Sequence, residues 1–353
     1  MAGATVRIAI VCPYDLGRFG GVQDQTIRLR RWLREAGHDP VLVGPGEEGP
    51  PGAILLGKTT TVPANRAATP IGVDVRMLGV LQGHLGDCDV LHVHEPMMPV
   101  VGPAALQVEG PAKVATFHAD PPRWARRAYR SMAPIARAIL KPAHVVTAVS
   151  PVAASAIDKV VTEYRIVPNG IDLDAYTPEV GDPSRVVFLG RDDPRKGLSV
   201  LLKAWRRVAR RRPGAELVVM GARRREGIDG VRFLGRVSEE RKRAELAAAG
   251  VLVAPNTGGE SFGLVVVEGM ASACAVVASS IPAFVHVLGD TGIFVGPGDP
   301  IALAERLIGL LDNPTAIRVL GTAARERARR FDGSVVATAY LEAYEAALAA
   351  NAP

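Results

Sequence analysis

A chain of 353 residues is long enough for two domains of ordinary size, and 48% hydrophobic with 22% charged residues is a globular composition. A net charge of +6 favours anionic partners such as phosphorylated ligands or acidic lipid; with aromatics at 5% and no nucleic-acid motif, nucleic acid is not expected. Cys12, Cys88 and Cys274 are isolated and suit a reducing cytosol rather than a disulfide framework or metal site, and no signal peptide or membrane-spanning run is expected.

Residues 6–12 (VRIAIVC) form a short apolar run. A loop ending Gly20-Gly21-Val22-Gln23 follows, and then helical periodicity over 22–36. This is the first strand–loop–helix of a doubly wound α/β domain. The glycine pair is not G-x-G-x-x-G, and no acidic residue ends the next strand at 40–43, which speaks against a dinucleotide site. Strands are expected at 89–93, 113–117 and 144–149, with helical or mixed segments between them, as in a parallel sheet. His92, His94 and Glu95 cluster at one strand end, but no distant third or fourth ligand completes a metal set. His118 follows a strand at its carboxyl end, where open α/β sheets bind ligands.

On a helical projection of 123–141, Arg123, Arg126, Arg127, Arg130, Arg137 and Lys141 share one stripe, with Trp124, Met132, Ile135 and Ile139 opposite. The stripe is either a solvated face or a face for an anionic membrane or ligand, and Pro134 argues against one unbroken helix. Residues 164–171 close the first half, and the polar stretch 172–184 reads as a linker. A second α/β series then begins: strand 185–189, loop 190–197, helix 198–212, and strands at 216–220, 231–234, 251–254, 275–278 and 292–295. Helical patterns run from 301, 315 and 333. The expected domains are 1–171 and 185–353, with the last helix able to pack back on the first.

In the loop 190–197 (GRDDPRKG), Arg191 is a forked donor at a strand end and Lys196 opens the next helix. Two cations there suit a diphosphate leaving group, unless the loop is simply a solvated turn. The stretch 255–279 passes a Gly258-Gly259 turn and enters an apolar helix. Glu260 stands at the turn and Glu268 eight residues on, a little over two helical turns and roughly on the same side. Between them Ser261, Phe262, Gly263 and Leu264 supply the amides of a helix N-terminus, a ready phosphate site. A capped buried helix is the alternative. Glu268 speaks against it, because a buried carboxylate is costly unless something pairs with it, such as a sugar hydroxyl or ribose diol.

The Glu-x7-Glu element enclosing Ser-Phe-Gly-Leu resembles the donor site of family 4 glycosyltransferases. The likeness extends to 20–23, 92–96, 115–118 and 190–197, and within the family it is greatest to actinobacterial phosphatidylinositol mannosyltransferases. It implies an α/β protein of GT-B fold: two Rossmann-like domains with parallel sheets facing across a central cleft. It also implies retaining transfer of mannose from GDP-mannose to phosphatidylinositol, with no cofactor or metal required. Partners would be a nucleotide-sugar and an anionic phospholipid surface, and the protein would be cytoplasmic, peripheral on the inner face of the plasma membrane. His118, Arg191, Lys196 and Glu260 would be catalytic. Gly20, Gly21, Gly190, Arg191, Lys196, Gly221, Glu260, Ser261, Phe262, Gly263, Leu264 and Glu268 would bind the donor. Tyr14, Gln23 and Arg123 would bind the acceptor, and Arg123, Arg126, Arg127 and Arg130 the membrane.

The departures fall on the acceptor side. Met97 stands where the lipid enzymes have Asn, Ala119 where they have Thr, and 77–86 (MLGVLQGHLG) lacks their basic cluster. The spacing from Arg191 to Lys196 is also one residue shorter than in those enzymes. A UDP-sugar donor or a soluble acceptor therefore stays open. A nucleotide-sugar epimerase or a non-catalytic binding protein on the same fold is the more distant alternative.

Overall fold

A computed structural model describes residues 4–57, 59–64, 67–72, 77–119, 133–225 and 227–352. The proposed membrane residues Arg123, Arg126, Arg127 and Arg130 lie outside these. The chain folds as two compact units: Met1–Gly170 with Gly333–Pro353, and Ile171–Asp332.

In the first unit the strands are β1 (Arg7–Val11), β2 (Asp39–Gly44), β3 (Ile54–Leu55), β4 (Thr59–Ala64), β5 (Ala67–Gly72), β6 (Val90–His94), β7 (Ala112–Phe117), β8 (Val145–Ala148) and β9 (Arg165–Ile166). Seven of them form a parallel sheet in the order β3-β2-β1-β6-β7-β8-β9. β6 and β7 are buried along their whole length, so that even His92, His94, Lys113 and Thr116 lie out of water. The order reverses between β1 and β6, so the loops after these two strands part at a topological switch point. β4 and β5 pair antiparallel as a separate hairpin that the sequence reading does not contain. Pro63 and Pro70 argue against strands there; a two-stranded ribbon tolerates them because both of its strands are edges.

One expected boundary moves, and the open placement of the last helix is decided. The last helix, Gly333–Asn351, buries Val336, Ala337, Tyr340, Ala343, Tyr344 and Ala347 at helical spacing against Ile8, Ile10, Trp32 and Val114, and belongs to the first unit. The stretch 172–184 lies inside the second unit, where Leu173 and Tyr176 are buried and β10 already starts at Asp182. The first half of β10 is only partly covered, which leaves room for polar residues at its start.

The 123–141 stripe is described only from 133 onward. There the helix Ala133–Leu140 opens next to Pro134, Ile135 is 53% exposed, and the Arg137 guanidinium donates to the Lys159 carbonyl at 2.8 Å. Ile135, expected opposite the stripe, is thus exposed, and Arg137 already has a protein partner.

The second unit contains β10 (Asp182–Leu189), β11 (Glu216–Met220), β12 (Val231–Gly235), β13 (Ala249–Ala254), β14 (Ala275–Ser279) and β15 (Gly292–Val295). They are all parallel in the order β12-β11-β10-β13-β14-β15. This is the doubly wound dinucleotide-fold order, with its switch point between β10 and β13. Helix Leu198–Arg211 closes one face by burying Leu198, Leu201, Leu202, Trp205 and Val208 against Val186 and Phe188.

Candidate active site

At the second unit's switch point, the loops after β10 and β13 are laced together. Gly197 has φ +72, ends the turn Pro194–Lys196, and lies so close to Pro255 that an added Cβ would overlap its carbonyl oxygen. The amide of Thr257 donates to the Arg195 carbonyl at 2.8 Å. Asp193 accepts from the Arg195 amide at 2.9 Å and pairs with its guanidinium at 2.8 Å, bonds that hold its carboxyl down to about 2. Gly190 donates to the Met220 carbonyl at 2.9 Å, while Gly221 (φ +90) sits against the Gly190 carbonyl, where a Cβ would come within 2.7 Å. Arg191 is exposed; its carbonyl accepts from the Asp193 amide at 2.8 Å, and its guanidinium makes no hydrogen bond or ion pair among the described residues. Lys196 Nζ meets Glu260 Oε2 at 2.6 Å, and Asn256 Nδ2 donates to the same oxygen at 3.1 Å. The cation expected at phosphate and the carboxylate expected at sugar are thus paired with each other.

The helix after this turn spans only Leu264–Ala271. Glu260 precedes it by four residues, held off by the left-handed Gly259 (φ +66) and Gly263 (φ +100), so helical phase does not relate Glu260 to Glu268. The amides of Val266 and Val267 both bond the Gly263 carbonyl, which leaves those of Phe262, Gly263 and Leu264 outside the helical ladder. Buried Phe262 anchors the turn edge-on against Phe331, with ring centres 5.6 Å apart; Ser261 and Leu264 are half-buried beside it.

Glu268 is buried, but its partners belong to the protein. Lys242 Nζ at 2.6 Å and Tyr176 Oη at 3.1 Å both reach Oε1. The burial of Glu268 therefore does not by itself call for a sugar hydroxyl or ribose diol, while Oε2 keeps acceptor capacity. Burial works against the Lys242 charge, yet Glu268 and Glu239 outweigh it and raise its pKa. The sequence reading missed Lys242 and Tyr176. Helix Glu239–Ala247 (EERKRAELA) looks like a solvated charged surface, and no local signal marks Lys242.

In the first unit, Gly20 is extended and an added Cβ would overlap the Gln23 side chain, whereas Gly21 opens helix Gly21–Glu35 with open space around it. Gln23 is buried and donates to the Asp15 carbonyl at 3.3 Å, and Tyr14 is half-buried in the same loop. Arg123 lies outside the described residues. His118 follows β7 and is only 5% exposed. Glu95, at φ +47, turns its Oε1 onto the amides of His118 (2.6 Å) and Ala119 (2.7 Å), tying the ends of β6 and β7 together. His94 Nδ1 lies 2.7 Å from His118 Nε2. His92 bonds Tyr344 Oη at 2.8 Å and Thr116 Oγ1 at 2.6 Å. Burial lowers His92 to about 3 and His118 to about 4, so both are neutral at pH 7. Among the described residues no group of three His, Cys, Asp or Glu side chains fits a metal ion, and no helix is long and apolar enough to cross a membrane.

The description "Glycosyltransferase Family 4" matches residues 19–175, and "Glycosyl transferases group 1" matches 183–313. The chain is 35% identical over 371 residues to the phosphatidyl-myo-inositol mannosyltransferase of Mycolicibacterium smegmatis, covering 96% of this chain and 94% of that protein. The chain belongs to glycosyltransferase family 4. The family 4 fold recurs in solved structures. A glycosyltransferase from Rickettsia africae superposes with a TM-score of 0.76 at 18% identity, covering 98% of this chain and 99% of that one. Anabaena HepE in complex with UDP-glucose gives 0.73 at 16% identity, covering 96% and 99%. Both units have the Rossmann-like sheets of the GT-B fold, and the protein is a glycosyltransferase.

Proposed function

We propose that this family 4 enzyme transfers mannose from GDP-mannose to phosphatidylinositol with retention of anomeric configuration. The observation that carries the reading is the 35% identity to the M. smegmatis phosphatidyl-myo-inositol mannosyltransferase over nearly the full length of both chains. In this reading Arg191, Lys196 and the amides of Phe262, Gly263 and Leu264 take the donor diphosphate. Charge grows on the distal phosphate as the anomeric bond breaks, and preorganised donors of this kind contribute roughly 3–4 kcal/mol each.

The diphosphate competes with Glu260 for Lys196, so donor binding opens the 2.6 Å pair and frees the Glu260 carboxylate for a hydroxyl of the sugar. Glu268 offers Oε2 to the ribose while Lys242 and Tyr176 hold Oε1. Gly190 and Gly221, which leave no room for side chains, let the diphosphate approach the backbone beside Arg191. Gly20, Gly21 and half-buried Ser261 complete the donor contacts. His118 lies beside the transferred sugar; Tyr14, Gln23 and Arg123 take the acceptor. Arg123, Arg126, Arg127 and Arg130 meet acidic lipid, worth about 1 kcal/mol each near the surface, which would place the enzyme peripherally on a membrane.

The test incubates the enzyme and labelled GDP-mannose with phosphatidylinositol vesicles, with and without EDTA. A chelator-insensitive mannolipid of the donor's anomeric configuration is expected. Turnover with UDP-sugars alone would overturn the donor assignment. Turnover with a soluble inositol phosphate but not with vesicles would overturn the lipid acceptor, an outcome favoured by the absence of Lys and Arg from helix Met77–Leu85.

A further inference from the structure

The loop after β10 sets two carboxylates, Asp192 and Asp193, between the cations proposed for the diphosphate, Arg191 and Lys196. Left bare, either one would repel a diphosphate brought to Arg191. Each has an arginine of its own. Asp193 is paired inside the loop, with Arg195 at 2.8 Å. Asp192 is paired from outside, by Arg224 in the loop after β11. Arg224 Nε donates to Asp192 Oδ2 at 2.9 Å and Nη2 donates to Oδ1 at 2.8 Å, the two-pronged fit of a guanidinium on a carboxylate. Nη2 also donates to Ser199 Oγ at 2.9 Å, in the first turn of helix Leu198–Arg211. The Arg224 bonds hold the Asp192 carboxyl below its ordinary range.

We infer that Arg224 is a positioning residue for donor binding: it covers Asp192 and so leaves the Arg191 guanidinium to the diphosphate. The two loops are neighbours, since the Gly190 amide donates to the Met220 carbonyl and Gly221 packs on the Gly190 carbonyl. Along the chain, Arg223-Arg224-Arg225 reads as a run of solvated charge. In the fold the three part company. Arg223 lies against Gly235, where an added Cβ would overlap its Nε; Arg225 is exposed; Arg224 turns onto Asp192.

The importance of this pair lies in its place. The Arg224 and Asp192 side chains keep 26% and 42% of their surface in water, and so exposed a pair contributes little to stability. Its effect is on the charge that meets a ligand. Arg191, Arg195, Lys196 and Arg224 set against Asp192, Asp193 and Glu260 leave one positive charge; without Arg224 the set is neutral. This role rests on the proposed place of Arg191 at the donor diphosphate, and Arg224 acts through Asp192 rather than on the ligand.

The test titrates the full-length enzyme with GDP and, in parallel, with UDP, by calorimetry at about 25 mM and about 300 mM salt. Arg224→Gln should weaken GDP binding about 10-fold at low salt and less at high salt, because a bare Asp192 then faces the diphosphate. Arg224→Lys keeps a cation without the fork and should stay within about 3-fold of the wild type. Asp192→Asn should bind GDP at least as tightly as the wild type. Arg224→Gln combined with Asp192→Asn should recover to within about 3-fold of the wild type, a rescue that a clamp on loop shape would not give. A double variant as weak as Arg224→Gln alone would overturn the role, and so would unchanged affinity in Arg224→Gln. The same pattern with UDP in place of GDP would refute the guanine donor and keep the role of Arg224. Wild-type binding of neither nucleotide would remove Arg191 from the diphosphate, and the role of Arg224 with it.

Discussion

The two sheets have the same handed order, yet they treat polar side chains at their carboxyl ends in opposite ways. In the first unit His92, His94, Glu95 and His118 are buried and bonded to one another, to Thr116, to Tyr344 and to backbone amides. In the second unit Arg191 is exposed, and the Lys196 and Glu260 side chains keep 25% and 18% of their surface in water. A deeply buried group must be neutral or fully partnered, so the first arrangement has one low-energy form and serves to hold shape. A half-exposed ion pair contributes little to stability and exchanges partners easily, so the second is suited to receive a charged ligand. Substitutions in the two units should therefore damage different properties.

The largest effect is expected where the ligand-receiving loops are not adaptable. Gly197→Ala forces a left-handed residue to carry a Cβ into the Pro255 carbonyl. Backbone strain alone costs roughly 1–3 kcal/mol and the overlap adds to it. Urea unfolding should show a loss above about 3 kcal/mol together with loss of turnover. An unchanged midpoint would mean that the laced loops are not rigid.

Lys196→Ala and Glu260→Gln should sharpen the contrast from the other side. Each is expected to lower kcat by about 100-fold, the scale of one lost preorganised contact, while the unfolding free energy moves by less than about 1 kcal/mol. A stability loss matching the activity loss would show that the pair is structural after all.

Acid should strike the first unit selectively. Burial holds the folded pKa values of His92 and His118 at about 3 and about 4, below the ordinary histidine value of 6.5, so the folded state binds fewer protons than the unfolded chain. Stability is then complete above pH 6.5 and falls as the pH drops through the window from 6.5 toward 4 and 3. The loss is roughly 1.4 kcal/mol per pH unit for each group. Thermal unfolding between pH 7.5 and 5.5 should show it, and a flat profile would contradict neutral burial.

Tyr344→Phe is the mildest of these changes. It strips His92 Nδ1 of its 2.8 Å partner without altering packing, and about 1–2 kcal/mol of stability should go. A neutral result would imply that another group satisfies His92.

The sequence alone was enough for whatever depends on neighbours along the chain. Alternating strand and helix patterns give the doubly wound class, and the apolar runs of β1, β13 and β14 mark sheets covered on both faces. Gly258, Gly259 and Gly263 mark the turn before an uncapped helix start, because only backbone without a Cβ enters the left-handed region cheaply. Tertiary structure alone decided the pairings. Lys242 reaches Glu268 across 26 residues, Lys196 reaches Glu260 across 64, and Tyr344 reaches His92 across 252. It also chose between the two places the sequence left open for the last helix, and decided that Glu268 finds its counter-charge within the protein. Periodicity and turn chemistry are local and short-ranged, whereas the partner of a buried charge is whatever the chain's path brings within about 3 Å, and no pattern around Glu268 or His92 specifies that path.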